Sequence, residues 1–326
     1  MTDSSKAVVA LTGATGFVGR YLLDHLTKTG RPVRPISRSG GGAIVACGDL
    51  AYSTPDWGDL FAGADTVIHC AAIAHQPLDD SRVGKEIKRK LYRVNRDAVA
   101  EVAEGCMAAG VRRLIFLSTV KVYGESTRPG EAFKETDALN PQDDYGESKK
   151  QAEEVLRAFR QRGLEVCCLR LPLIYGPRAK ANLLRLQRLA VSGMPLPLAS
   201  IRNSRSLLGL NNLAIALDGL MEVERWNWSE VNIADPEPIS TPELVRALGK
   251  VAGRAPLLVP FPVHLLTVMA KALGRASDIE RLTENLEVSV RRLQSILSVP
   301  LVPTGDSLGL LADKPVGNAD VEVGAS

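Results

Sequence analysis

The chain lacks an excess of charge: 40 Lys and Arg oppose 37 Asp and Glu, a net of +3. That balance excludes a protein whose affinity rests on neutralising many phosphates of a nucleic acid. Cysteine is scarce, with five residues at 47, 70, 106, 167 and 168. Their number is odd and no C-x-x-C pair occurs, which excludes a disulfide framework or a thiolate metal site and leaves small buried hydrophobes in a reducing compartment. Histidine is rarer still. His25 and His75 stand alone, and no metal-ligand spacing joins them to a carboxylate. No long hydrophobic run exists. The most apolar stretch, 257–273, contains Pro260, Pro262, His264 and Lys271 and falls short of the ~20 residues needed to span a bilayer. A packed C-terminal helix is expected there ahead of one lying on a membrane surface. The N-terminus runs straight into a strand pattern without a signal peptide, so the expected location is cytoplasmic.

What is present is ordinary globular composition. The 326 residues, 35.0 kDa, are 45% hydrophobic and 24% charged, enough for about two domains with a sizeable core. Strand patterns at 8–11, 33–37, 66–70, 114–118 and 166–171 alternate with helical spacing at 20–29, 94–109 and 145–162. This rhythm implies an α/β fold, a parallel sheet covered on both faces. After Pro172 the rhythm changes: helices are expected at 183–191, 213–223, 241–251 and 261–273, and short strands at 206–210 and 231–234. The expected division is a dinucleotide-binding domain over 1–172 with 206–235 returning to it, a smaller α/β substrate-binding domain from 173–205 and 236–311, and a disordered tail at 312–326.

Gly13-Ala14-Thr15-Gly16-Phe17-Val18-Gly19 lies between the first strand and the first helix. Gly13 permits a tight turn, Gly16 lets the backbone approach a pyrophosphate, and Gly19 lets the helix pack against the strand. The helix N-terminus then offers free N–H groups to phosphate. This predicts a dinucleotide site. At the end of the second strand, where an acid would bind the ribose of NAD, the chain has Ser37-Arg38. Arg38 suits a 2′-phosphate, so the reading leans to NADP(H) over NAD(H). Tyr145 and Lys149 are spaced i, i+4 and share a helix face. An ammonium beside a phenol stabilises phenolate and lowers its pKa, which suits acid–base chemistry. Thr119, just after a strand, could hydrogen-bond the same substrate oxygen.

Together GATGFVG, STVKVYG and YGESK resemble the extended short-chain dehydrogenase/reductases, the NAD-dependent epimerase/dehydratase group. The resemblance implies a Rossmann-like fold and further roles. Asp49-Leu50 would contact adenine, Cys70-Ala71-Ala72 after His69 would line the cofactor, and Asn95 would support the site. Thr119, Tyr145 and Lys149 would be catalytic, with Lys149 also on the nicotinamide ribose. Pro172 in the segment Arg170–Pro177 would meet the cofactor at the domain junction. Thr119, Lys121, Asn182, Leu183 and Arg205 would face a nucleotide-sugar substrate. A homodimer through the helices around Asn95 and Tyr145 is an arrangement the resemblance allows, and Ala152, Val155 and Leu156 offer apolar positions for it.

Three chemistries compete within this resemblance. Dehydratases carry Asp-Glu after the catalytic threonine, where this chain has Val120 and Lys121, and valine cannot shuttle a proton. Family epimerases usually have Asn where this chain has Leu173. The segment from Lys180 to Leu196, with 203–207, resembles a bacterial polysaccharide subgroup that reduces UDP-4-keto-6-deoxy-N-acetylglucosamine. The leading expectation is therefore a 4-ketoreductase of O-antigen precursor synthesis, ahead of a UDP-glucose or UDP-N-acetylglucosamine 4-epimerase. A non-catalytic cofactor sensor ranks below both, because such proteins tend to lose the Tyr-Lys pair. The basic residues Lys85, Lys88, Arg89 and Lys90 read as a solvated face, Arg112-Arg113 as surface, and Trp226 and Trp228 as packing.

Overall fold

The computed structural model describes residues 7–74, 81–177 and 182–313. The expectations at His75, at Lys180 and for the tail beyond 313 lie outside the described residues. Seven parallel strands form one sheet: β1 (Val9–Thr12), β2 (Val33–Ser37), β3 (Val45–Ala46), β4 (Thr66–His69), β5 (Arg113–Thr119), β6 (Glu165–Leu171) and β9 (Glu230–Asn232). Their order is β3-β2-β1-β4-β5-β6-β9. Between β5 and β6 the register runs from Arg113 opposite Glu165 to Thr119 opposite Leu171. β1, β4 and β5 are buried along their whole length, as strands covered on both faces must be. A separate pair, β7 (Leu173–Tyr175) and β8 (Leu207–Gly209), also runs parallel.

Helices cover both faces of the large sheet. On one side α1 (Phe17–Lys28) contributes Leu22 and Leu26, α7 (Leu210–Glu222) contributes Leu213, Leu217 and Leu220, and α11 (Arg291–Ile296) contributes Leu293. On the other side lie Trp57 and Phe61 of α2 (Trp57–Phe61), Val99 and Val102 of α4 (Ala98–Ala108), and Ala152, Leu156 and Phe159 of α5 (Asp144–Gln161). The fold is therefore a doubly wound, Rossmann-like α/β sheet. Ala152 and Leu156 pack into this core and Val155 packs against it, so these positions do not supply a second apolar face for a partner.

α4 continues an unexpected preceding helix, α3 (Arg82–Tyr92), through one π turn at Arg93–Asp97. The basic residues of α3 lie on this helix, and Lys88 reaches Asp144 at 2.7 Å. Arg112 is at the surface with Asp65, but Arg113 is 1% exposed, which corrects the surface reading of that pair. Its guanidinium pairs with Glu165 at 2.8 Å, donates to the carbonyls of Met221, Val223 and Glu224, and stacks 4.8 Å from the Trp226 ring. Trp226 itself stacks on Trp228 at 5.3 Å. His25 is not isolated: its Nε2 lies 2.6 Å from Asp218. All five cysteines are free thiols.

Of the remaining elements, α12 (Thr304–Gly309) packs on β8 and on α8 (Thr241–Val251), α8 packs on α6 (Asn182–Val191), and α9 (Val263–Ala272) packs with α10 (Ala276–Thr283). Ser240 caps α8 in a capping box with Glu243, and Pro242 sits in its first turn. Among the described residues no helix is long and apolar enough to cross a membrane.

Candidate active site

The strand order reverses between β1 and β4, the point at which a doubly wound sheet takes its ligand, outside the carboxyl ends of the strands. The glycine turn occupies it. Gly13 has φ +69°, and a Cβ there would lie 2.7 Å from the backbone nitrogen of Ala71. A Cβ on Gly19 would lie 2.2 Å from the Gly13 carbonyl oxygen. Both contacts are with backbone, which cannot swing aside. Gly16 precedes the first turn of α1 as its N-cap and offers no side-chain cap, and that turn holds no acid. Its N–H groups and positive dipole end are thus presented to an anion. These residues fit a dinucleotide pyrophosphate, and Thr15, Phe17 and Val18 complete the turn.

Ser37 ends β2, and Arg38 beyond it is exposed, 3.6 Å from Asp49. Asp49 also accepts from the backbone of Ala51, while Leu50 is buried in the core. On the far side, Asn95 sits in the π turn with no exposure. Its Oδ1 accepts from Ile73 N at 2.8 Å and its Nδ2 donates to Ile73 O and to Ser148 Oγ. It thereby pins the segment after Cys70-Ala71-Ala72 to α5. A π turn displaces one residue from the regular helical face, a device often found at functional positions.

Thr119 ends β5 and caps the short turn Val120–Val122, its Oγ1 accepting from Lys121 N. The start of α5 presses on that turn: a Cβ on Gly146 would lie 2.8 Å from the Lys121 carbonyl. Asp143 caps α5 through Gly146 N. Lys121 binds Asp143 at 2.5 Å and Glu125 at 2.7 Å. Thr119, Tyr145 and Lys149 are therefore brought to adjoining backbone at one end of the sheet. Lys149 is buried, donates to Leu117 O at 2.8 Å, and lies 4.3 Å from the Phe116 ring centre. Burial pulls its ammonium down to about 8, while Cys70, Glu153 and Cys168 oppose that fall. Tyr145 differs from the sequence expectation. Burial, with the Asp143 charge, pushes its phenol up to about 12, so it stands protonated in the ligand-free protein. His69 lies close by as a neutral imidazole: burial, then the Lys149 charge, pulls it down to about 3. Its Nδ1 is 2.8 Å from Thr12 Oγ1.

Beneath these groups runs a buried network that the sequence reading missed. Ser118 Oγ donates to Glu153 at 2.5 Å, and Arg170 grips the same carboxylate at 2.6 Å. Arg170 also donates to the Tyr123 hydroxyl at 2.7 Å, which donates to Asn232 at 2.8 Å. The chain thus links the neighbour of Thr119 to β6 and β9. A signal existed: Glu153 follows Lys149 by four residues, as Lys149 follows Tyr145, so all three share one face of α5.

Of the expected substrate residues, Thr119 and Lys121 belong to this group, and Arg205 feels the charge of Glu125, which Lys121 binds. Pro172 bridges β6 and β7. Asn182 opens α6, whereas Leu183 packs with Tyr175, Leu207 and Leu248 in an apolar cluster. Arg205 is half-buried and donates to Glu284 O at 3.0 Å. An open cleft nearby is lined by Thr127, Arg128, Ile201, Arg202, Val263 and Asn285. Among the described residues no cluster of His, Cys, Asp or Glu could hold a metal ion.

Comparison with known proteins gives a consistent result. A UDP-glucose 4-epimerase of Vibrio cholerae is 35% identical over 298 residues, covering 89% of each chain. A ceramide reductase of Caulobacter vibrioides (strain NA1000 / CB15N) is 28% identical over 272 residues, covering 80% of this chain and 76% of the relative. The solved structure of MoeE5 in complex with UDP-glucose and NAD shares the fold, with a TM-score of 0.71 at 24% identity, over 94% of this chain and 97% of that one. Residues 9–223 match the NAD dependent epimerase/dehydratase family, and the chain belongs to that family.

Proposed function

We propose that this enzyme is a nucleotide-sugar 4-epimerase that acts at C4 of a UDP-sugar. The observation that carries the reading is the placement of Tyr145, Lys149 and Thr119 where β5 ends and α5 begins. The backbone of Cys70 and Ala71, at the end of β4 beside β5, abuts Gly13 of the glycine turn. The 35% identical 4-epimerase, matched along nearly its whole length, supports the choice of reaction. In this reading residues 1–172 with 206–235 hold the dinucleotide, and 173–205 with 236–311 hold the substrate.

A bound nicotinamide supplies the oxidation and re-reduction of C4. Gly13, Thr15, Gly16, Phe17, Val18 and Gly19 would hold its pyrophosphate, and Asp49 and Leu50 would lie at the adenine. Ala71, Ala72, Asn95 and Pro172 would frame its reactive end. Tyr145 moves the proton of the C4 oxygen, and Thr119 steadies that oxygen by a hydrogen bond. Lys149 lends its positive charge to the phenolate when the proton leaves and holds the adjacent ribose. Asn182 and Arg205 would lie towards the diphosphate.

A second reading, reduction of a UDP-4-keto-6-deoxy-N-acetylhexosamine with NADP(H), has its own support. Tyr145 is poised to donate a proton, Arg38 is an exposed cation where a 2′-phosphate would lie, and Leu173 replaces the usual epimerase asparagine. One experiment separates them. UDP-glucose is incubated with the enzyme and the C4-epimeric products are distinguished by NMR. In parallel, reduced nicotinamide absorbance is followed with UDP-4-keto-6-deoxy-N-acetylglucosamine. A galactose product without added cofactor establishes the epimerase. Stoichiometric NADPH consumption establishes the reductase instead. Tyr145→Phe should lower kcat at least ~10²-fold in either case and leave cofactor affinity unchanged. Retained turnover in that variant would refute both readings.

A further inference from the structure

Helix α9 carries apolar residues on two sides. Val263, Leu266, Thr267 and Ala270, at helical spacing, are half-buried, and Val263 and Leu266 pack against Ala190, Leu196, Leu198 and Val245. A second stripe at the same spacing points outward: Leu265 is 45% exposed, Val268 62%, Met269 54% and Leu273 73%. No residue of this helix is fully buried. A helix on the surface of a globular protein normally turns charged residues outward. Nearby Leu189, Met194 and Leu257 are exposed as well. Scattered apolar side chains on a surface are normal, but a contiguous patch marks an interaction surface.

The charge around the stripe identifies what it meets. Between Glu243 and Asp278 the sequence contains no acidic residue and five cations: Arg246, Lys250, Arg254, Lys271 and Arg275. All five are exposed. The whole chain has a net charge of +3, so the remainder is net −2 and the positive excess of the protein is concentrated here. Lys271 and Arg275 follow the stripe at the C-terminal end of α9, where cations also suit the helix dipole. Asp278 and Glu280 of α10 are the nearest acids along the chain, and α10 packs against α9. An outward apolar stripe with cations at its C-terminal end, on a helix too short to span, is the pattern of a surface that settles into the headgroup boundary of an anionic bilayer.

We propose that α9 is a membrane-docking helix, which seats its outer stripe in an anionic lipid surface with Lys271 and Arg275 among the phosphates. The open cleft lined by Arg128, Arg202 and Val263 begins at the first residue of this helix, so docking brings that cleft close to the lipid surface. A packed helix was the expectation from sequence; its inner face packs in that way, and the outer stripe is left exposed.

The test is co-sedimentation of the full chain with phosphatidylcholine vesicles, and with vesicles in which about a third of the lipid is phosphatidylglycerol. The expected result is binding to the anionic vesicles and little to the neutral ones. Val268→Asp with Met269→Asp should weaken it at least ~10-fold, and so should Lys271→Glu with Arg275→Glu. These side chains are exposed, so both variants should keep the unfolding temperature and the cofactor affinity of the parent. Failure of the parent to bind anionic vesicles overturns the proposal, as does undiminished binding by either variant. If the parent instead forms a dimer that Val268→Asp with Met269→Asp dissociates, without vesicle binding, the stripe belongs to a second copy of the chain and the lipid assignment is wrong.

Discussion

Replacing Glu153 with Ala should be among the most damaging substitutions in the molecule, although Glu153 touches no expected ligand. Both Glu153 and Arg170 are 2% exposed. Removing the carboxylate strands a guanidinium in a site with only the Tyr123 hydroxyl and the Glu135 carbonyl as acceptors. Breaking a buried ion pair from one side costs about 3–5 kcal/mol, and Ser118 loses its acceptor, which adds about 1 kcal/mol. At ~2.1 cal/mol/K per residue, each kcal/mol lowers Tm by about 1.5 °C in a chain of 326 residues, so a loss of about 6–9 °C is expected. The assay is thermal unfolding by circular dichroism, with Arg170→Met and the double variant Glu153→Leu/Arg170→Met measured beside it. The double variant should recover most of the loss, because an apolar pair of similar volume leaves no charge unpaired. A Tm for Glu153→Ala within about 1 °C of the parent would refute the reasoning, and so would a double variant as unstable as the sum of the singles.

Other outcomes follow from the same geometry. Gly19→Ala should abolish cofactor binding in a calorimetric titration and lower Tm, because its methyl must lie against the Gly13 carbonyl; retention of parental affinity would refute the cradle. Arg113→Leu leaves Glu165 and three carbonyls without their donor, and a loss of about 3–5 kcal/mol is expected in chemical unfolding. Lys149 has a folded pKa of about 8 against 10.5 in the open chain. Its burial therefore opposes folding at low pH, and stability should rise as the pH climbs from about 8 to 10.5, while turnover falls over the lower part of that window as the ammonium is lost. Lys149→Arg should remove the stability slope in unfolding curves recorded against pH. Asn95→Ala should weaken cofactor binding more than it lowers Tm, since it frees Ile73 and Ser148 together.

The sheet was legible because its strands are runs of apolar residues between turn signals, and the glycine turn because three glycines are spaced for one strand-turn-helix. β3 was not, since two residues of exposed Val45 and Ala46 carry no periodicity. α3 was not, because its mostly charged sequence follows from solvent exposure whether or not it is helical. Arg113 misled because a doublet of arginines looks like surface, and the carbonyls that hold it come from Met221 to Glu224, more than a hundred residues away. The spacing of Tyr145 and Lys149 gave their shared face but not their electrostatics. Lys149 donates a hydrogen bond to Leu117 O in the ligand-free protein, and burial, with the charge of Asp143 two residues before Tyr145, raises the phenol. The outward face of α9 was hidden for a related reason: periodicity shows that apolar residues share a face, not which way the face looks.

The π turn at Arg93–Asp97 has a consequence for how this protein can change. An α-helix advances about 100° per residue, and the wider π turn takes up one extra residue, so the helical faces of α3 and α4 stay in phase across it. Removing one residue there would restore a regular helix and leave the α3–Asp144 contacts and the Val99–Cys106 core in alignment. Asn95 alone would lose its displaced position and with it the bonds to Ile73 and Ser148. The bulge thus ties one residue of chain length to the position of a single amide, and leaves the packing on either side independent of it.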